Sequence, residues 1–199
     1  MSSAPSELEV KSTLDLAVKY STWGPAHWLH TKAEVGSSVT MRVGGDFHYP
    51  NRVTDAGARH NLLLVAGGVG VNPLASIFTH AAEAVAATDK VGQVKMLYSA
   101  KSVQELIFRD KLDAITDADA GTGRFGVKYF VTKETCADDD RAFHYGRITS
   151  EDLKEQVEAL NELPTYCYIC GPTGFIQSTD KILQDLGYPK SIIFFELWW

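Results

Sequence analysis

A chain of 199 residues that is 45% hydrophobic and 22% charged has enough apolar content for a full core, which excludes a disordered chain. Its formal net charge of -6 supplies no basic stripe for a phosphate backbone, so nucleic acid is set aside as a partner. No apolar run approaches the roughly 20 residues needed to cross a bilayer, so a soluble protein without a membrane span is expected.

The first twenty residues mix Glu7, Glu9 and Asp15 with Lys11 and Lys19, unlike a signal peptide or a basic presequence. Thr13 to Ser21 alternates apolar and polar residues and predicts a half-buried strand; Val35 to Val43 predicts a second. Between them, Gly24 to His30 predicts a turn into a short helix. Gly44-Gly45 ends the second strand, and the polar stretch Pro50 to Arg59 reads as a linker that divides the chain into residues 1–57 and 58–199. Beyond it, short apolar runs at 61–66, 94–98, 127–131, 166–169 and 192–195 predict strands. Helical stretches are expected at 73–87, 103–115, 150–160 and 173–186. Strands apolar on both faces, alternating with helices, predict an α/β fold with a doubly wound parallel sheet.

In such a sheet the ligand sits beyond the carboxyl ends of the strands, where a glycine turn lets backbone approach a pyrophosphate and a helix start offers N–H groups. Residues 66–73, AGGVGVNP, have this form. Asn72 suits an N-cap and Pro73 a first helical residue. A second turn, Cys170-Gly171-Pro172, follows another buried strand and is expected to open at the same sheet edge. Glycine turns also simply relieve crowding, and a free cysteine is commonly a small buried hydrophobe. Cys136, Cys167 and Cys170 are too few and too odd for a disulfide framework and fit a reducing compartment. The Cys167/Cys170 spacing is not read as a zinc or redox pair, since i and i+3 on a strand point to opposite faces.

The AGGVGVNP turn, the stretch Tyr98 to Leu112, the Gly146-Arg147-Ile148-Thr149 step, the Tyr168 to Pro172 turn and the ending Phe195 to Trp199 occur together in that order. This set resembles the ferredoxin-NADP-reductase superfamily, and within it the oxidoreductase NAD-binding domain-containing branch of animals. The resemblance implies that Gly67, Gly68, Val69, Gly70, Asn72 and Pro73 hold the pyrophosphate of NAD(P)H. It also implies that Cys170, with Gly171 and Pro172, lies against the nicotinamide.

An acidic group favours a ribose 2′-hydroxyl, whereas a basic or hydroxyl-bearing one favours a 2′-phosphate. Thr132 and Lys133, with Lys101 nearby, therefore lean toward NADPH, while Glu134 opposes it. The superfamily also implies FAD, bound by a β-barrel, so residues 1–57 are expected to form a partial antiparallel β-barrel. His27, Trp28 and Thr31 would lie near its pyrophosphate, or Trp28 would merely pack a small core. Glu196 would shuttle protons or shape the site. Trp198 and Trp199 would cover the flavin or pack at a partner interface.

The implied activity is NAD(P)H-dependent oxidoreduction through a flavin to an unknown acceptor, a protein among the candidates. The alternative is a flavin-deficient NAD(P)-binding or structural subunit of a larger assembly. The animal resemblance implies a mitochondrial setting; composition alone implies a cytoplasmic one.

Overall fold

The apolar run at 61–66 becomes β1 (His60–Gly67), every residue of which is buried. The structure, a computed structural model, describes residues 1–42, 44–51, 58–88, 90–135, 142–160 and 162–197. Around β1 stand β2 (Val91–Ala100), β3 (Phe125–Val131), β4 (Phe143–Tyr145), β5 (Thr165–Cys170) and β6 (Ile193–Glu196). All pairs are parallel, in the order β4-β3-β2-β1-β5-β6.

Period-two alternation sends the two halves of β1 into different cores. Leu62, Leu64 and Ala66 pack with α3 (Val71–Ala87) and α4 (Arg109–Ala118). Leu63 and Val65 pack with α5 (Ser150–Ala159) and α6 (Thr173–Asp185). Each fully buried leucine contributes roughly 1.5–3 kcal/mol relative to exposure, so the two apolar faces of β1 anchor both helix layers. The chain moves outward from β1 toward β2 on one side and β5 on the other, which puts the reversal of strand order beside β1. The expected doubly wound sheet is therefore present.

The expectations differ from the structure in several places. Residues 103–115 do not form one helix: a 3-10 turn (Val103–Glu105) precedes α4, and Leu106 at φ -81, ψ 63 separates them. The edge strand β4, which seats His144 in a stack on Phe130 at 4.9 Å, is too short for a periodic signal. The largest correction concerns the partial barrel. The described parts of 13–21 and 35–43 are not strands, and among the described residues before β1 the regular elements are α1 (Pro5–Lys11) and α2 (Gly24–Thr31). Alternation makes a strand possible, but a strand is stable only with a ladder partner. Ala17 instead pairs with the side chain of Asn72, and Ser2 with the backbone of Asp15. The division near residue 57 and Cys136 lie outside the described residues.

Candidate dinucleotide cleft

β1 runs straight into a 3-10 turn (Gly68–Gly70) and then into α3. Gly68 takes φ +55, a left-handed conformation that favours glycine, and open space faces it. Gly70 is required for a different reason: a Cβ there would stand 2.2 Å from the carbonyl oxygen of Cys170. The two glycine turns are thus pressed backbone to backbone where strand order reverses. Gly171 is crowded to a lesser degree, since its Cβ would meet the Phe175 side chain at 2.8 Å and Gly67 Cα at 3.1 Å.

Above these turns opens a cleft of about 1110 Å³. Its walls include Gly67, Gly68, Val69, Gly70, Asn72 and Pro73 from the first turn, and Gly171 and Pro172 from the second. Thr132, at the end of β3, and Glu196, at the end of β6, also line it. The start of α3 adds the positive end of its dipole. The two turns border one common space, as their spacing predicted.

Not every expected residue arrives. Lys133 is exposed and does not line the cleft; its N–H donates to Lys101 O at 2.9 Å. Cys170 is fully buried in the core facing α3, with its carbonyl beneath Gly70. Cys167 points into the opposite core, where burial raises its thiol pKa well above the ordinary range. The pair therefore diverges as strand geometry requires, and no metal-binding cluster occurs among the described residues.

His27, Trp28 and Thr31 belong to α2 and do not line the cleft. The Thr31 hydroxyl donates to His27 O at 2.7 Å, within its own helix. His27 packs edge-on against Tyr20, and its Nδ1 is buried without a hydrogen-bond partner among the described residues. Trp198 and Trp199 lie outside the described residues.

Asn72 lines the cleft but is not an N-cap. Gly70 holds that position, because the 3-10 turn carries the chain directly into the helix at Val71. Asn72 is the second helical residue and Pro73 the third, still within the first turn where proline is tolerated. The Asn72 amide is left to serve as a substitute strand. Its Nδ2 donates to Ala17 O at 3.0 Å and to Val69 O at 2.9 Å, and its Oδ1 accepts from Ala17 N–H at 3.2 Å.

Sequence reasoning missed the wall opposite the glycine turn. Leu14, Leu16 to Lys19, Gly44-Gly45 and Phe47 to Tyr49 supply it. The cations Lys19, Arg42 and Lys101 share the cleft with Glu105 and Glu196. Lys19 and Glu105 form an ion pair at 3.0 Å. Glu134, expected to oppose a phosphate, accepts instead from Val103 N–H at 3.3 Å. The alternation at 14–19 was the one available signal, since it marks an amphipathic run without saying which surface that run covers.

A second, smaller pocket of about 380 Å³ lies at the sheet edge by Arg109, Asp113, Tyr129 and His144. Its polar groups satisfy each other: Tyr129 donates to Asp113 at 2.6 Å, and Arg109 pairs with Asp113 at 3.3 Å.

The family model described as an oxidoreductase NAD-binding domain matches residues 64–181. Oxidoreductase NAD-binding domain-containing protein 1 of Xenopus tropicalis is 39% identical over 207 residues, covering 99% of this chain. The chain spans 63% of that relative's length.

Among solved structures, the CS-b5R domains of human Ncb5or in the NAD+ form align with a TM-score of 0.59 at 23% identity, covering 69% of this chain and 36% of that one. A ferredoxin NADP+ reductase from Neisseria gonorrhoeae with bound FAD and NADP aligns with a TM-score of 0.52 at 23% identity, covering 70% and 56%. At that identity the likeness shows a shared fold. The chain, with its parallel sheet, paired glycine turns and matching domain model, belongs to the oxidoreductase NAD-binding domain family.

Proposed function

We propose that this protein is an NAD(P)H-dependent oxidoreductase whose cleft holds the nicotinamide dinucleotide, its pyrophosphate over residues 67–73. The observation that carries this reading is the backbone contact of the two glycine turns beneath one cleft at the strand-order reversal. A pyrophosphate needs close approach of backbone and a helix start, and a dinucleotide needs a long groove beside them. The chain's own part is to bind and orient. Gly68 and Gly70 keep the turn low, the start of α3 faces the anion, and Glu196 stands at the β6 edge opposite Cys170 in register.

A bound nicotinamide would supply hydride chemistry, and a flavin such as FAD, if bound, would link it to an unidentified acceptor, a protein among the candidates. The α2 residues expected to hold FAD do not converge on the cleft, so no flavin seat is assigned to them. A second reading, a flavin-deficient NAD(P)-binding or structural subunit of a larger assembly, is favoured by the absence of strands among the described residues before β1, where the flavin barrel was expected.

Titration of the purified protein with NADH and NADPH, followed by tryptophan fluorescence and calorimetry, tests the first reading. Saturable binding that is lost in Gly70→Val supports it, and no binding of either nucleotide rejects it. Flavin absorbance in the purified protein selects the enzyme. Nucleotide binding by a colourless protein that takes up no added FAD selects the subunit.

A further inference from the structure

Lys19 and Glu105 are 86 positions apart, yet Lys19 Nζ lies 3.0 Å from Glu105 Oε2 across the cleft. Each stands on a fixed support. Lys19 ends the segment that the Asn72 amide grips at Ala17. Glu105 closes the 3-10 turn after β2; its N–H donates to Ser102 O at 3.1 Å and its carbonyl accepts from Tyr98 Oη at 3.0 Å. Ser99 and Ala100, at the end of β2, and Lys101 just beyond it line the same cleft.

In dinucleotide-binding sheets the adenosine ribose lies near the end of the second strand. A carboxylate there accepts from a 2′-hydroxyl, and a cation takes a 2′-phosphate. Both kinds of group are present here, and they neutralise each other. The residues expected to discriminate are otherwise engaged: the Thr132 hydroxyl donates to Ala100 O at 3.2 Å, Lys133 does not reach the cleft, and Glu134 caps Val103.

We propose that the Lys19–Glu105 pair reads the 2′ position of the adenosine ribose, a proposal that rests on the dinucleotide reading of the cleft. A 2′-hydroxyl donates to Glu105, releasing Lys19 to solvent. A 2′-phosphate accepts from Lys19, with Lys101 on the same side. The side chains are 51% and 39% exposed, so the pair is a surface bridge that holds little of the fold and is readily exchanged for a ligand. Specificity is then set partly by a residue outside the nucleotide-binding sheet, carried in by the extended segment before α2.

The test is calorimetric: dissociation constants for NADH and NADPH with the wild type, Lys19→Gln, Glu105→Gln and Lys19→Arg. Lys19→Gln is expected to weaken NADPH and spare NADH, whereas Glu105→Gln weakens NADH and tightens NADPH. The ratio of the two constants moves in opposite directions, by about tenfold for one charge-assisted hydrogen bond, and Lys19→Arg keeps the wild-type ratio. Thermal midpoints stay at the wild-type value. A ratio shifted by less than about threefold in both variants, or shifted the same way in both, overturns the proposal while leaving the cleft a dinucleotide site. Failure of the wild type to bind either nucleotide overturns the reading of the cleft and the proposal with it.

Discussion

Residues 60–197 and residues 1–51 are both supplied with large apolar side chains, but the two regions dispose of them differently. In the sheet region Leu62, Leu63, Leu64, Val65 and Leu97 are fully buried between helix layers. In the first region the one apolar side chain fully withdrawn from solvent, among those described, is Ala4. Leu16, Tyr20, Trp23, Val35, Val39 and Met41 are exposed, Trp23 at 82%.

Phe47 and Tyr49 pack against the core, each with its ring edge-on to Tyr168, and the rest of what fastens the first region to the second is polar and directional. Ser76 donates to Ser3 O at 2.7 Å, Ser6 to Glu83 at 2.8 Å, and Asn51 to Tyr168 at 2.7 Å, while Lys111 pairs with Glu7 at 3.2 Å. A net hydrogen bond contributes about 0.5–1.5 kcal/mol and a surface ion pair about 0–1, against roughly 1.5–3 for each buried leucine. Burial therefore sets the stability of the sheet, and hydrogen bonds set where the first region lies against it.

The comparison breaks most visibly on side-chain truncation. Leu64→Ala opens a cavity beneath α3 and is expected to cost about 3–5 kcal/mol. Val35→Ala, on a fully exposed side chain, is expected to stay within about 0.5 kcal/mol. Urea unfolding of the two variants measures both. Equal losses would mean that Val35 is covered by something in solution and that the contrast between the regions is false.

Gly70→Ala comes next. Its methyl group has backbone, not a yielding side chain, at 2.2 Å, so the two turns must separate, at a cost near the upper end of the about 1–3 kcal/mol typical of overpacking. Nucleotide affinity should fall with stability. Gly174→Ala, in α6 with nothing within 4 Å, is the control that keeps binding and adds up to about 1 kcal/mol of stability. Retention of wild-type binding by Gly70→Ala would show that the turns need not touch for the cleft to work.

Asn72→Ala tests the seam between the regions. It removes three hydrogen bonds, two of them to Ala17, for an expected cost of about 1–2 kcal/mol, and it loosens the segment that carries Lys19. Hydrogen exchange should show the Ala17 amide losing protection while the amides of β1 keep theirs. Loss in both would place Asn72 among the groups holding the sheet.

These differences also mark what the sequence discloses. The strands of the sheet other than β4 were legible because burial on both faces leaves continuous apolar runs, and the two turns because glycine is forced wherever backbone meets backbone. The missing ladder at 13–21 was not legible, since alternation reports an amphipathic surface and says nothing of what lies beside it. Asn72 looks like a cap in sequence, but where a helix starts depends on the turn that feeds it. Lys19 and Glu105 were out of reach for a plainer reason: no local pattern links residues 86 apart.

The smallest effect distinguishes the regions by pH. Tyr49, in the first region, and Tyr98, in the sheet, have their hydroxyl pKa values pushed up to about 12 by burial. A solvated tyrosine titrates near 10. Between pH 10 and 12 the folded chain keeps both protons that the unfolded chain has released, so stability falls as pH rises through that window. Below it their contribution is fully present.

The two losses act in different places. His60 Nδ1 donates to Ala58 O at 2.9 Å, which leaves Nε2 to accept from Tyr49 Oη at 3.0 Å. Ionised Tyr49 cannot make that bond, which ties its segment to the first residue of β1, whereas ionised Tyr98 stands in the core. Tyr49→Phe is expected to cost about 1 kcal/mol or less at neutral pH and to flatten part of the alkaline loss; the Tyr98 part remains. Urea unfolding across this pH range, with tyrosinate absorbance, measures it. An alkaline profile unchanged by Tyr49→Phe would mean that this hydroxyl is solvated in solution and that the seam is held by Asn51 and Asn72 instead.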